Sequence, residues 1–109
     1  MAYKIYVTPR AQADIAAAFG YLAERSPEAA KRWYNSIAAD IASLREMPGR
    51  CPAMRAAGIK CRQFIRGRYR VVFDIVDDAK AVRILTVRHS ARREITDEEI
   101  RQIVNDFER

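Results

Sequence analysis

The sequence is short of the residues that carry most enzyme chemistry. Its 109 residues hold one histidine, His89, and two cysteines, Cys51 and Cys61. A zinc site needs several His, Cys or carboxylate ligands at close spacing, and no such set is present, so neither a metal nor another cofactor is expected. The two cysteines lie far apart and follow no export signal, which favours free thiols in a reducing compartment. No apolar run approaches the ~20 residues of a membrane span, and the N-terminus shows a single lysine before a strand-like run instead of a leader. A cytoplasmic location is the expectation. Gly-rich phosphate loops, HExxH and GxSxG are all missing, which removes the nucleotide-cradling, zincin and nucleophile-elbow classes. Repeats, low-complexity stretches and linkers are missing too, so residues 1–109 read as a single domain.

What is present is charge, unevenly spread. The chain carries +6 overall. Residues 60–93 hold +7, whereas residues 94–109 hold −4. A basic block on a sheet suits a polyanionic or acidic partner and accelerates the encounter with it. A solvated strand face would look the same.

Tyr3–Val7 alternates in strand fashion. Thr8-Pro9 and Ser26-Pro27 each read as an N-cap followed by proline at the first helical position. Ala11, Ile15, Phe19 and Leu22 form one apolar stripe, and Ala30, Trp33, Ile37, Ile41 and Leu44 form a second that reaches Met47. Helices of about 15 and 20 residues joined this tightly make an antiparallel hairpin. Ala16, Ala17, Ala18, Ala38, Ala39 and Ala42 are expected to let them approach closely. Pro48-Gly49 ends the second helix, and residues 50–59 read as a loop without periodicity. Strands follow at 61–65, 69–76 and 81–88, with turns at Arg66-Gly67 and Asp77–Lys80. The fold class is therefore α+β: an N-terminal strand, a helical hairpin, a three-stranded antiparallel sheet and a C-terminal helix. That last helix has a Thr96/Glu99 capping box and an Ile95/Ile100 staple.

Closing the second hairpin at 77–80 sets Asp74 opposite Arg83, Phe73 opposite Ile84 and Ile75 opposite Val82, one ion pair and two apolar pairs. This register assigns Tyr69, Val71, Phe73, Ile75, Val82, Ile84 and Thr86 to a face under the helices. Arg68, Arg70, Val72, Leu85, Val87 and His89 fall on the other, joined by Cys61 and Gln63. A slip of one residue would exchange the two sets. Val72, Leu85 and Val87 make an apolar patch that wants a cover, either the tail helix or a partner's segment. Arg68 and Arg70 beside His89 offer guanidiniums to stabilise charge on phosphorus and an imidazole for proton transfer. His89 as a plain strand-end residue fits the same sequence. A Cys61–His89 nucleophile pair is disfavoured, because two strands separate them.

The order of elements, the hairpin segment SPEAAKRW, the pattern Arg62-x-Phe64-x-x-Gly67-x-Tyr69-Arg70 and the sheet end Val87-Arg88-His89-Ser90-Ala91-Arg92 resemble the RelE/ParE superfamily of type II toxin–antitoxin toxins, closer to its ParE-like branch. The resemblance spans residues 3–93. It implies growth inhibition, a plasmid-stabilisation type of module and a cognate antitoxin, for which Val72, Leu85 and Val87 are the candidate surface. RelE-like members cleave mRNA on the ribosome with sheet lysines, an arginine after a strand tyrosine, and a C-terminal tyrosine. Arg70 matches that arginine, but Cys61 and Gln63 stand where the lysines would be, and no tyrosine follows Tyr69. ParE-like members poison DNA gyrase without cutting RNA, and the departures favour that side. The resemblance thus implies a target-binding surface of Arg68, Arg70, His89 and Arg92. In the endoribonuclease (mRNA interferase) alternative His89, Arg70 and Arg68 would be catalytic. A basic nucleic-acid-binding module without toxicity is a third reading; the absence of aromatics from the Arg-bearing face argues against single-strand recognition.

Overall fold

The computed structural model describes residues 2–56, 59–91 and 95–108. Strand β1 (Lys4–Val7) leads into helices α1 (Pro9–Arg25) and α2 (Pro27–Ser43). Four more strands follow, β2 (Ala53–Ala56), β3 (Ile59–Arg66), β4 (Tyr69–Val76) and β5 (Ala81–His89), and helix α3 (Asp97–Glu108) closes the chain. Among the described residues no helix is long and apolar enough to cross a membrane.

Both expected helix starts are formed. The hydroxyls of Thr8 and Ser26 accept the backbone N–H of Ala11 and Ala29, each at 3.2 Å, with proline next in sequence. The second helix ends at Ser43, short of Met47. Proline excludes the residue before it from the right-handed helical region, and Met47 takes a left-handed conformation at φ 48°. Of the six alanines expected between the helices only Ala18 is buried; the other buried residues of the two helices are Ala11, Ala30, Ile37 and Ile41.

The sheet has five strands in the order β1-β5-β4-β3-β2, with β1 parallel to β5 and the remaining neighbours antiparallel. The N-terminal strand is therefore part of the sheet, and the segment expected as a loop contributes β2. The first turn is centred on Gly67-Arg68, one residue later than expected, because Arg66 pairs with Tyr69. Gly67 supplies the positive φ of 61° that a tight hairpin turn requires.

The β4–β5 register agrees with expectation from Val76↔Ala81 to Phe73↔Ile84. It then shifts: Val72 pairs with Thr86 and Tyr69 with His89, leaving Leu85 as the extra residue of a bulge. A bulge reverses the alternation beyond it. Val87 and His89, expected on the outer face, lie on the hairpin side, and Arg88 takes the outer side.

Each face of the sheet has its own core. Val71, Phe73, Val82, Ile84 and Val87 pack under the hairpin with Ile37, Ile41 and Leu44. Cys61, Val72 and Leu85 pack under α3 with Ile95, Ile100 and Ile103. The tail helix is thus the cover of the Val72/Leu85 patch. Its capping box is formed, with Glu99 N–H donating to the Thr96 hydroxyl and Thr96 N–H to the Glu99 carboxylate, both at 3.1 Å.

Candidate functional site at the arginine-bearing end of the sheet

The β3–β4 turn and the end of β5 meet at one end of the sheet. Ser90 N–H donates to the Arg68 carbonyl at 2.6 Å and ties the two together. Arg70 reaches the same place, its Nη2 3.4 Å from the Ser90 carbonyl. Arg68 is exposed and Arg70 half-buried. Among the described residues neither forms an ion pair, so both guanidiniums keep donors for an anionic partner. Arg70 Nε and the Gln63 side-chain oxygen are buried without a hydrogen-bond partner on this side of the sheet.

His89 is at the same end but on the opposite face. Its ring stands edge-on to Tyr69 at 5.3 Å between centroids, and Tyr69 lies 5.1 Å from Trp33. His89 Nδ1 accepts the Ala91 N–H at 3.0 Å, so the neutral ring carries its proton on Nε2. Burial raises the Tyr69 phenol above its ordinary pKa, and neighbouring Tyr21 adds to that shift.

The four expected working-surface residues therefore divide. Arg68 and Arg70 are together, and His89 is around the sheet end from them because of the bulge. Arg92 lies outside the described residues. Val72 and Leu85 are fully buried beneath α3, and Val87 is buried beneath the hairpin, so none of the three is a surface residue. Cys61 lies under α3 with its thiol pushed up to about 11, chiefly by burial and further by Asp74. With His89 on the other face, Cys61 and His89 do not form a pair. Among the described residues no group of three His, Cys, Asp or Glu side chains gathers to hold a metal ion.

Two residues shape this end without having stood out in the sequence. Arg88, Cα partner of Arg70, is 1% exposed and donates to Glu99 of α3 at 2.9 Å. That hydrogen bond is the main reason the Glu99 carboxyl falls to about 2, against the opposing effect of burial. Asp14 of α1 accepts both the Val87 N–H, at 3.0 Å, and the Thr86 hydroxyl. Thr86, expected under the hairpin, gives its hydroxyl to this carboxylate of the hairpin's first helix. No local pattern marks either residue, since their partners lie 11 and more than 70 positions away.

This arrangement, a short parallel strand and helical hairpin on a sheet whose basic end adjoins a tail helix, is the fold of the RelE/ParE toxins. The RelBE2 toxin–antitoxin complex of Mycobacterium tuberculosis contains a chain similar at TM-score 0.63 and 23% identity, over 84% of this chain and 95% of that one. The archaeal RelE–RelB complex of Pyrococcus horikoshii OT3 gives 0.59 and 17%, over 85% and 100%. A double mutant of the E. coli toxin RelE in the free state gives 0.59 and 14%, over 98% and 95%. Among curated proteins none matches the sequence. Residues 5–94 match the family described as the ParE toxin of the type II toxin–antitoxin system parDE. The chain belongs to that family.

Proposed function

We propose that the protein arrests growth by binding DNA gyrase through Arg68 and Arg70 at the basic sheet end, without cutting nucleic acid, and that a cognate antitoxin neutralises it. The observation that supports binding over cutting is the placement of the imidazole. His89 spends Nδ1 on a backbone amide and sits across the sheet end from the arginines. Phosphodiester cleavage by general acid–base catalysis wants the proton-transfer group and the charge-stabilising guanidinium on one reacting centre. The positions aligned with the sheet lysines of RNA-cutting relatives hold Gln63 and a buried Cys61. Induction without antitoxin is expected to arrest growth and to trap cleaved gyrase–DNA complexes, with arrest falling at least tenfold for Arg68→Ala with Arg70→Ala. Normal supercoiling by purified gyrase in the presence of the toxin overturns the gyrase reading.

The antitoxin segment would reach Val72 and Leu85 by taking the place of α3, which covers both. One observation favours ribosome-dependent mRNA cleavage as the second reading. Tyr69 and His89 are in ring contact, which sets a phenol beside the imidazole as a second group able to transfer a proton. On that reading transcripts on translating ribosomes are cut at codon-defined positions and His89→Gln abolishes the cuts; intact transcripts after induction count against it.

A further inference from the structure

The bulge at Leu85 decides which face of the sheet receives His89, and its hydrogen bonds come from outside the sheet. Strand β1 pairs with β5 only from Ala81 to Ile84. Past Ile84 that edge of β5 has no strand beside it among the described residues, and an open edge leaves backbone groups to be satisfied some other way. Helix α1 and its cap take the position. Thr8 N–H donates to the Ile84 carbonyl at 3.1 Å, and the Thr8 hydroxyl lies 2.7 Å from the same oxygen. Beyond the bulge, one oxygen of Asp14 accepts the Val87 N–H at 3.0 Å together with the Thr86 hydroxyl, while Arg10 Nε holds the other at 3.2 Å. Leu85 is the residue between these two grips.

We propose that Asp14 is a positioning residue: its carboxylate pins the Leu85 bulge and so places the His89 ring against Tyr69. Without the bulge the hairpin's regular register carries through, setting Arg88 opposite Tyr69 and His89 opposite Arg68. The aromatic contact would be lost and the imidazole would join the arginines. A carboxylate on α1 thereby sets the composition of the sheet end about 70 positions later in the chain. The consequence for toxicity rests on the reading of that end as the working surface.

Because His89 is the single histidine, its ring resonances in the NMR spectrum of the full-length protein are unambiguous. The wild-type chain is expected to show nuclear Overhauser contacts between the His89 and Tyr69 rings. Asp14→Ala is expected to lose them while contacts at Phe73 and Ile84 persist, and Asp14→Asn, which retains a carbonyl acceptor, to restore them. Exchange protection of the Val87 amide should fall at least tenfold in Asp14→Ala. Should that variant not fold, Thr86→Val removes the hydroxyl at constant shape, and the His89–Tyr69 contact should weaken. Intact ring contacts in every variant that folds would mean that burial of Val87 and the Arg88–Glu99 pair suffice to set the register, and would overturn the proposal. Growth arrest is expected to weaken with Asp14→Ala and return with Asp14→Asn. Full arrest despite lost ring contacts would overturn the reading of this sheet end as the working surface and leave the positioning role of Asp14 standing.

Discussion

Arg88 is the residue whose burial most demands a reason. A guanidinium at 1% exposure is tolerable only with its charge met at close range, and Glu99 meets it at 2.9 Å. Glu99 is already fixed by the capping box, so little side-chain freedom is lost in forming the pair. Its folded pKa of about 2 lies below the ~4.3 of an unfolded chain. The pair therefore contributes fully above about pH 4.5 and loses its contribution as the pH falls toward 2. Glu99→Gln retains the capping-box geometry and removes only the charge. It is expected to lower stability by about 2–3 kcal/mol at pH 7 in urea unfolding. The gap from the wild type should close as the pH is lowered from 5 to 2.5. A gap of constant size across that range would show that the loss comes from packing.

At the scale of elements, what could be read in the sequence is what is local. The helix starts at Thr8-Pro9 and Ser26-Pro27 and the Thr96/Glu99 box need only neighbours three residues away. The register from the Asp77 turn back to Phe73 follows from residues facing each other across one turn. The bulge was not legible, because Asp14 and Glu99 belong to other elements. Strand β2 was not either: four residues without alternation become a strand only when β3 is there to pair with them. A regular register carried past Phe73 puts Val87 and His89 on the wrong face, and this is why the expected patch and working surface come apart. The tail helix was legible, and so was the need for a cover over Val72 and Leu85. Cys61 reports on that cover, being fully buried under α3 with a thiol pKa near 11. In a Cys51→Ser background it should react slowly with a disulfide reagent at pH 8. Removal of residues 96–109 should speed that reaction at least tenfold and lower solubility as the apolar face opens. An unchanged rate would mean that α3 does not shield this face in solution.

For the whole molecule the distribution of charge matters more than its sum. The basic block of residues 60–93 and the acidic tail are opposite in charge and adjoin in the fold, since Glu99 pairs with Arg88 and Arg88 lies opposite Arg70. Helix α3 thus begins at the arginine-bearing end and runs away from it, with Phe107 packing on Tyr6 of β1 at its far end. Glu98, 91% exposed, belongs to the near end and Asp106 to the far one. Each neutralisation, Glu98→Gln or Asp106→Asn, raises the net charge from +6 by a single unit. Exposed charges act over roughly 8–10 Å at physiological salt. If the tail tempers the basic end by proximity, Glu98→Gln will move elution from a heparin column to clearly higher salt and Asp106→Asn will move it little. The steeper dependence of log affinity on log salt should likewise belong to Glu98→Gln alone. Equal shifts for the two variants would show that polyanions respond to the net charge of the whole particle, and that the acidic start of α3 gives the basic end no local protection.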